Sequence, residues 1–393
     1  MTDLSARGAA RVEWIRSRMP LLRRTREEFA VSRPFDGHRI GMSLHIEPKT
    51  AVLLETLAAG GADIVATGNH GSTQDDVVAF LRDQGMTVFG ARDDDLEQHH
   101  RNVASVAAAQ PTILLDNGAD LAALIAAQIA AGTSTVIGGT EETTSGGIRL
   151  RDELAGQIPF PVIVINDSIL KAIGENKHAV GQSVVESFMR ITNLMVPGRR
   201  FVVAGYGWCG RGVAQYLRAL GGKVAVVEID ELKAFEAAMD GFRVSTVDDL
   251  ASWGEVFITA TGRPGILTES FFSHVADGAI LANCGHFPWE IDVAALRAMS
   301  TGSTQLDEAI ERIDLPGNRH VILLADGRMM NLAGREPKGN SLESMDLGFL
   351  LQTLSLERVA TAAATLPAGA QPVPEDLERE IARRMLAAMA ADR

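Results

Sequence analysis

The sequence is poor in cysteine and lacks long apolar runs. Only two of its 393 residues are cysteines, Cys209 and Cys284. Two cysteines are too few for a disulfide framework or a cysteine-based zinc site. No stretch approaches the roughly 20 apolar residues that a membrane-spanning helix needs. We therefore expect a cytoplasmic protein that binds no metal ion and does not enter a membrane.

Positive charge is also in short supply. The chain has 37 Lys and Arg residues against 50 Asp and Glu residues, which gives a formal net charge of −13. Nucleic-acid binding needs clustered positive charge, so this balance argues against a nucleic-acid partner. The one basic region, near the N-terminus, has no apolar core and contains interspersed acids, which is typical of a solvated helix rather than a targeting peptide.

The length suffices for two or three domains of about 150 residues each. In the first half, short apolar runs alternate with helical patterns, which is typical of a parallel sheet covered by helices on both faces. Strands are predicted at 62–66, 87–89, 112–115 and 135–137, and helices at 72–84, opened by a capping Ser or Thr, and at 119–131.

A second series of the same kind follows a helical stretch around 182–195. Its predicted strands are 200–204, 223–228, 256–260, 279–282 and 320–324. The sequence thus predicts two doubly wound α/β domains. Three prolines and many small residues between 361 and 374 favour a linker, which a short amphipathic helix at 374–390 follows.

A glycine-rich motif lies directly after the strand at 200–204. Gly205, Gly207 and Gly210 fit the pattern G-x-G-x-x-G, and Glu228 ends the next strand 18 residues later. The glycines allow a dinucleotide pyrophosphate to approach a helix N-terminus, and the acid can accept hydrogen bonds from an adenosine ribose. An acid at this place would repel the extra phosphate of NADP, so the motif favours NAD.

Four polar clusters each follow a predicted strand. They are 72–76, 140–146, 166–168 with Lys171, and 283–287. Ligands of doubly wound sheets lie beyond the carboxyl ends of the strands, so we expect these clusters to converge on one cleft.

With these motifs the sequence resembles the S-adenosylhomocysteine hydrolase family, from about residue 11 to residue 352. The resemblance is carried by the clusters above, by the glycine motif and by Glu228-Ile229-Asp230. It implies a discontinuous substrate domain at 1–182 with 339–360 returning to it, a Rossmann NAD domain at 183–338, and a linker and helix at 361–393. It also implies a homo-oligomer, either a dimer or a tetramer, that acts on a small nucleoside.

The resemblance further implies an NAD that is tightly bound and recycled within each turnover. The ribose 3′-hydroxyl is oxidised to a ketone, which acidifies the C4′ proton and lets the 5′ group leave. Water then adds and the ketone is reduced again. Lys171 would be the base for the 3′-hydroxyl, and the residues around it, by their implied roles, are Glu175 and Asn166 (orienting Lys171), Glu142 (ribose hydroxyls) and His45 (proton transfer at the 5′ end).

The cofactor and substrate contacts are likewise implied by the resemblance. Beyond the glycine motif and Glu228, the residues assigned to NAD are Thr143, Thr144, Ser145, Asn176, Cys284, Gly285, His286 and Asn331. Those assigned to the substrate are Glu47, Lys49, Ser72 and Asn340.

The sequence departs from the family mainly at the substrate. Glu47 and Lys49 stand where the family has Thr and Glu, and Lys49 can only donate hydrogen bonds to a base. Asn340 stands in place of a histidine, after an apparent two-residue insertion near 335–338. Asn117 replaces a carboxylate on the 5′ side, and an amide cannot act as a general base.

These departures leave three functions open. One is hydrolysis of S-adenosylhomocysteine or of a related 5′-thioether nucleoside. A second is dehydration to an exocyclic alkene of the kind found in angustmycin-type nucleoside antibiotics. The third is a catalytically silent, NAD-binding regulatory homologue. Retention of Lys171, Glu142, His45 and His286 favours an enzyme, because a mere binder has no use for a base beside nicotinamide.

Overall fold

The computed structural model describes residues 3–69, 72–285 and 288–391, and it confirms the α/β fold class with two largely parallel sheets. Within these residues, no helix has both the length and the apolar character needed to cross a bilayer. The strands are β1 (Arg39–Ser43), β2 (Asp63–Thr67), β3 (Thr87–Phe89), β4 (Ile113–Asp116), β5 (Gly138–Glu141), β6 (Pro161–Val164), β7 (Arg200–Ala204), β8 (Lys223–Val227), β9 (Arg243–Val244), β10 (Val256–Thr259), β11 (Ala279–Asn283), β12 (Gly302–Asp307), β13 (Ile310–Leu315), β14 (Arg319–Leu324) and β15 (Gly369–Pro372).

Helices cover both sheets, and a π-helical segment, Ala172–Ala179, joins α8 to α9. The α-helices are α1 (Asp3–Ser17), α2 (Pro20–Ser32), α3 (Pro48–Ala59), α4 (Asp75–Asp83), α5 (Leu96–Ala108), α6 (Asp120–Ala130), α7 (Thr144–Arg151), α8 (Ile169–Lys171), α9 (Val180–Thr192), α10 (Trp208–Ala219), α11 (Glu231–Met239), α12 (Val247–Ala251), α13 (Glu269–His274), α14 (Val293–Met299), α15 (Leu342–Ala362) and α16 (Glu375–Ala391).

The first compact unit comprises Met1–Ala172 and Leu342–Arg393. Its seven strands run in the order β15-β6-β5-β4-β1-β2-β3, and every neighbouring pair is parallel. Alternate strand residues face opposite sides of the sheet, so Leu115 packs with α3 and α15 while its neighbour Leu114 packs with α5 and α6. The long helix α15, most of it buried, closes one face of this sheet.

The second unit is continuous and comprises Ile173–Ser341. Its eight strands run in the order β12-β13-β14-β11-β10-β7-β8-β9. The strands from β14 to β9 pair in parallel, as in a dinucleotide-binding sheet, whereas β12, β13 and β14 form an antiparallel edge. The sequence analysis did not predict β12 and β13, and the division between units falls at residue 172 instead of 182.

The strand predicted at 135–137 is wrong, because β5 begins at Gly138. A Cβ atom at Gly138 would lie 2.8 Å from the Val359 side chain, and one at Gly139 would lie 2.6 Å from the main-chain oxygen of Leu114. The close approach of α15 and β4 thus requires two glycines in a strand, where glycine is normally depleted.

Two further expectations are corrected. The supposed linker at 361–374 contains the end of α15 and all of β15, which pairs with β6 from Gly369↔Pro161 to Pro372↔Val164. Helix α4 begins at Asp75 after the N-cap residue Gln74, whose side chain makes no capping hydrogen bond, so no Ser or Thr caps it.

Candidate active site

The loop between β7 and α10 has the geometry of a dinucleotide-binding turn. Gly205 has φ +98°, which side chains with a Cβ atom rarely adopt. A Cβ atom at Gly210 would lie 2.0 Å from the main-chain oxygen of Gly205, whereas one at Gly207 would meet nothing within 4 Å. Open space therefore adjoins the N-terminus of α10, where free N–H groups favour a phosphate.

Glu228 follows β8 and organises the same loop. Its carboxylate accepts hydrogen bonds from the main-chain N–H groups of Tyr206 (2.7 Å), Ile229 (2.8 Å) and Asp230 (3.0 Å). A carboxylate accepts about four hydrogen bonds, so capacity remains for a ribose hydroxyl. Glu228 thus lies beside the glycine turn and can still accept a hydrogen bond from an adenosine ribose, which is the role that the sequence predicts for it.

The loop after β11 is held by the buried amide of Asn283. Its Oδ1 accepts hydrogen bonds from Thr259 Oγ1 (3.0 Å) and from the main-chain N–H of Gly285 (2.8 Å). Burial raises the pKa of the Cys284 thiol well above its ordinary value, so this side chain stays a neutral thiol. His286, which was also assigned to NAD, lies outside the described residues.

A hydrogen-bonded chain joins three of the assigned polar residues in the second unit. Asn331 Nδ2 donates to Ser183 Oγ (3.2 Å), and Ser183 Oγ donates to Asn340 Oδ1 (3.3 Å). Asn340 Nδ2 in turn donates to Glu175 Oε1 (3.2 Å). Glu175 and Asn176 both lie in the π-helical segment, a feature that is rare and frequent at functional sites.

In the first unit, a buried ion pair joins Glu142, which directly follows β5, to Lys171 at the end of α8. Lys171 Nζ donates to the main-chain oxygen of Glu142 (2.7 Å) and to its carboxylate Oε1. The other carboxylate oxygen of Glu142 accepts a hydrogen bond from Gln352 Nε2 on α15. All three residues are buried, and such an ammonium and carboxylate are positioned to exchange a proton.

A second group of polar side chains connects the loops after β1, β2 and β4. His45 Nδ1 lies 2.6 Å from Ser72 Oγ, which donates to the main-chain oxygen of Asn69 (3.1 Å). Asn69 Nδ2 donates to Asn117 Oδ1 (3.1 Å). The structure therefore brings together His45, Ser72 and Asn117, which the sequence analysis placed on the 5′ side and at the substrate.

Glu47 and Lys49 lie at the start of α3 and contact each other. Lys49 Nζ is 3.2 Å from Glu47 Oε1, and the lysine side chain is buried while that of Glu47 remains partly exposed. The pair offers a hydrogen-bond donor and an acceptor side by side.

Three residues assigned to NAD lie where β5 leads into α7: Thr143 precedes the helix, and Thr144 and Ser145 lie in its first turn. Thr143 caps α7, since its hydroxyl accepts a hydrogen bond from Gly146 N (3.0 Å). The same hydroxyl donates to Glu141 Oε1 (2.7 Å) and lies 3.1 Å from Ser145 Oγ. Thr143 therefore uses its hydroxyl within the chain.

Comparison with known proteins gives two family matches. Residues 2–138 match the model of S-adenosyl-L-homocysteine hydrolase, and residues 176–336 match that of its NAD binding domain. The chain is 42% identical over 387 residues to an adenosylhomocysteinase of Archaeoglobus fulgidus, covering 98% of this chain and 95% of that one. It is 41% identical over 396 residues to an S-inosyl-L-homocysteine hydrolase of Methanopyrus kandleri, covering 98% and 92%.

The chain belongs to the S-adenosyl-L-homocysteine hydrolase family. Its cofactor is therefore NAD, as the glycine motif predicted. The residues present fit this cofactor, because the space at Gly207 leaves room for a pyrophosphate and the fully buried Oδ1 atom of Asn331 has no partner in the described part of the chain. An amide oxygen in that state suits an N–H donor such as a carboxamide.

The structure also contains residues near the site that the sequence analysis did not assign. Gln352 was not assigned a role, although an amide within an apolar helical run is a signal of a functional contact. Asn69 precedes the predicted cluster at 72–76, and Ser183 links Asn331 to Asn340. Glu290 is fully buried and accepts hydrogen bonds from Thr261 N (2.8 Å), Thr261 Oγ1 (2.7 Å) and Gly262 N (2.9 Å), which fixes the loop after β10.

Proposed function

We propose that this chain cleaves the thioether bond between homocysteine and a purine nucleoside, through transient oxidation of the nucleoside 3′-hydroxyl. The observation that carries the proposal is the buried contact of Lys171 with Glu142 and of Glu142 with Gln352. A charged pair is costly to bury, and a structural role would be served as well by apolar side chains. Glu142 directly follows β5, at the carboxyl edge of the sheet where doubly wound folds bind ligands.

In this proposal Lys171 takes the proton of the 3′-hydroxyl. The Glu142 carboxylate, in contact with Nζ, receives the proton that the ammonium must give up first, so the pair acts as a relay. NAD, which the turn at Gly207 and the amide of Asn331 would hold, would supply the hydride acceptor for this oxidation and the hydride for the final reduction. Gln352 holds the second oxygen of Glu142 and keeps the first directed at Lys171.

His45 serves the 5′ side of the substrate. It contacts Ser72, and the neighbouring Asn69 and Asn117 are amides that donate and accept hydrogen bonds without titrating. His45 is therefore the residue of this group that can donate a proton to the departing sulfur. Asn117 orients the group and does not act as a base.

Glu47 and Lys49 are proposed to contact the nucleobase. Adenine offers an N–H donor at its amino group and an acceptor at N1, while hypoxanthine offers an acceptor at O6 and a donor at N1. Glu47 as acceptor and Lys49 as donor can pair with either base edge. For adenine, Glu47 would face the amino group and Lys49 would face N1, whereas for hypoxanthine Glu47 would face N1 and Lys49 would face O6. Lys49 therefore does not by itself exclude adenine, and both S-adenosyl and S-inosyl thioethers are appropriate substrates for the test.

The test is incubation of the NAD-loaded enzyme with S-adenosylhomocysteine and, separately, with S-inosylhomocysteine. We expect release of homocysteine, measured with a thiol reagent, together with the free nucleoside by mass spectrometry. Lys171→Ala should abolish the release while NAD stays bound, and Lys223→Ala, at an exposed strand end, should leave it unchanged. No homocysteine from either thioether would refute the proposal.

Dehydration is the second candidate, and the amide at position 117 favours it. With Asn117 in contact with Asn69, the 5′ side has one carboxylate fewer than the family pattern for activating the incoming water. If water does not add, reduction of the ketone leaves an exocyclic alkene. Incubation with 5′-hydroxylated nucleosides would then give a product lighter by one water, and its absence would exclude this candidate. A silent regulatory homologue predicts no product in either assay and no formation of reduced nicotinamide.

A further inference from the structure

The strands β4 and β5 end side by side, and each is followed by a residue of the proposed reaction. Asp116 pairs with Glu141 in the parallel register, and Asn117 and Glu142 come next. The two loops that leave these strands, 117–119 and 142–143, are therefore neighbours. Their relative position sets the distance between the 5′ group around Asn117 and the Lys171 contact at Glu142.

The carboxylate of Glu141 binds both loops at once. From the first loop it accepts hydrogen bonds from Gly118 N (3.0 Å) and Ala119 N (3.0 Å). From the second it accepts hydrogen bonds from Thr143 N (2.7 Å) and Thr143 Oγ1 (2.7 Å). The residue is fully buried, so water does not compete for these donors.

The backbone of the first loop adopts a left-handed conformation at two consecutive residues. Gly118 has φ +101° and Ala119, which is not a glycine, has φ +61°. Left-handed conformations are unfavourable for alanine and persist only where the surroundings enforce them. Here they aim two consecutive N–H groups at a single carboxylate.

The segment that follows the second loop also packs directly against the Glu141 carboxylate. A Cβ atom built on Gly146, in the first turn of α7, would lie 2.2 Å from Glu141 Oε1. Any side chain at this position would displace the carboxylate. Glycine at 146 thus makes room for Glu141.

Asp116 completes the arrangement beneath the first loop. Asp116 accepts hydrogen bonds from Asn117 N (3.0 Å) and Ala122 N (2.7 Å). Nearby, Arg149 forms an ion pair with Asp120 and donates a hydrogen bond to Gly118 O (3.0 Å). Burial, with repulsion from Asp120, raises the pKa of Asp116 to about 7, and burial, with repulsion from Asp116, raises the pKa of Glu141 to about 8.

We infer that Glu141 is a positioning residue that fixes the loop bearing Asn117 against the loop bearing Glu142, and so sets the spacing between the 5′ group and the 3′ base. The effect that we expect on kcat rests on the proposed function. The effect that we expect on the two loops does not. Glu141 contacts no reacting atom. It acts through the four donors that it gathers from the two loops.

The test uses two variants of the NAD-loaded enzyme. Glu141→Gln keeps the size of the side chain but turns an NH2 group toward backbone N–H donors. Gly146→Ala leaves Glu141 intact and displaces its carboxylate. In both we expect kcat for thioether cleavage to fall by about 10- to 100-fold with KM changed less than about threefold, because misplacement by about 1 Å costs rates of this order. Ile148→Ala, an exposed change on the same helix, is the matched control.

Hydrogen exchange measured by mass spectrometry provides the readout that is independent of activity. We expect peptides covering 117–123 and 141–147 to exchange faster together in both variants, with the rest of the chain unchanged. Loss of NAD content and of circular dichroism marks a variant that fails to fold, in which case the other variant decides. A folded variant with wild-type kcat, or with faster exchange in one loop only, overturns the inference. Wild-type enzyme that cleaves no thioether refutes the proposed function, while the exchange data still decide on Glu141.

Discussion

Lys171 donates hydrogen bonds to both the main-chain oxygen and the carboxylate of Glu142, so a buried ammonium is bound twice by a single residue. The main-chain contact does not involve the carboxylate. A proton can therefore move between Nζ and Oε1 without the lysine losing its position. This double contact is what makes the pair suitable for repeated proton transfer.

The same contact predicts an asymmetric effect on stability. Glu142→Gln removes a negative charge that directly contacts a buried ammonium, and we expect a loss of about 3 kcal/mol in the free energy of unfolding. The double variant Glu142→Gln/Lys171→Met removes both charges and should recover most of that loss. Urea unfolding curves of the two variants and the wild type measure the difference. Equal destabilisation in both variants would contradict a buried charge pair.

Gln352 offers a separate test of the Glu142 geometry. Gln352→Leu removes one hydrogen bond to Glu142 without adding charge, and we expect thioether cleavage to slow by about tenfold, in line with one lost charge-assisted hydrogen bond. Gln352→Glu places a second carboxylate against Glu142 and should slow it further. Ser355→Ala, one turn along α15, is the control and should leave the rate near that of the wild type. Steady-state kinetics at several pH values would show the two Gln352 variants with altered pH profiles.

Cofactor choice is predicted to depend on Glu228. Glu228→Gln keeps an acceptor for the main-chain N–H of Tyr206 but removes the negative charge that repels a 2′-phosphate. We expect the preference for NAD over NADP to fall by about tenfold or more, measured as the ratio of dissociation constants. Glu231→Gln changes an acid three residues away in the first turn of α11 and should leave the ratio unchanged.

Asp346 is predicted to make stability depend on pH. Its carboxyl accepts hydrogen bonds from Leu21 N (2.8 Å) and Leu22 N (2.9 Å), and burial raises its pKa to about 6. Because the pKa in the folded state exceeds that in the unfolded state, this group stabilises the fold most below about pH 4. That contribution, up to about 3 kcal/mol, is lost as the pH rises through about 6. In the Asp346→Asn variant, the melting temperature should fall less between pH 4 and pH 7 than in the wild type. An equal fall in both proteins would show that other groups cause the pH dependence.

The Asn117→Asp variant tests whether residue 117 decides between hydrolysis and water elimination. The carboxylate keeps an acceptor for Asn69 Nδ2 and adds a base that can activate water. We expect the ratio of hydrolysis to water elimination to rise, measured by mass spectrometry on a thioether and a hydroxylated nucleoside in parallel. A ratio identical to that of the wild type would show that Asn117 does not control the fate of the intermediate.

Much of the dinucleotide-binding sheet could be predicted from the sequence, because its strands are continuous apolar runs and its glycine motif has fixed spacing. The strand at 200–204 was predicted at its observed bounds, and most others within one or two residues. Strand β5 was misplaced because close packing required glycines, and the β12–β13 hairpin was missed because β12 is fully exposed and carries no apolar pattern.

The candidate site was predictable to the extent that it follows strand ends. Asn117, Glu142 and Glu228 each directly follow a strand in the structure, whereas Lys171 ends the short helix α8. Gln352 lies 210 residues from Glu142 in the chain, and its contact depends on how α15 packs on β5, which no local pattern encodes. The positioning role of Glu141 was likewise hidden, because it arises from the left-handed backbone at Ala119.

The pairing of β15 with β6 has a consequence for the order of events during synthesis. The first unit needs α15, β15 and α16 to complete its core and its sheet edge, and these segments are made after the whole of the second unit. The second unit is uninterrupted between residues 173 and 341 and has all of its strands once residue 341 has emerged. On the ribosome, the middle of the chain can therefore fold first, while the N-terminal segment waits for the C-terminal strand to arrive.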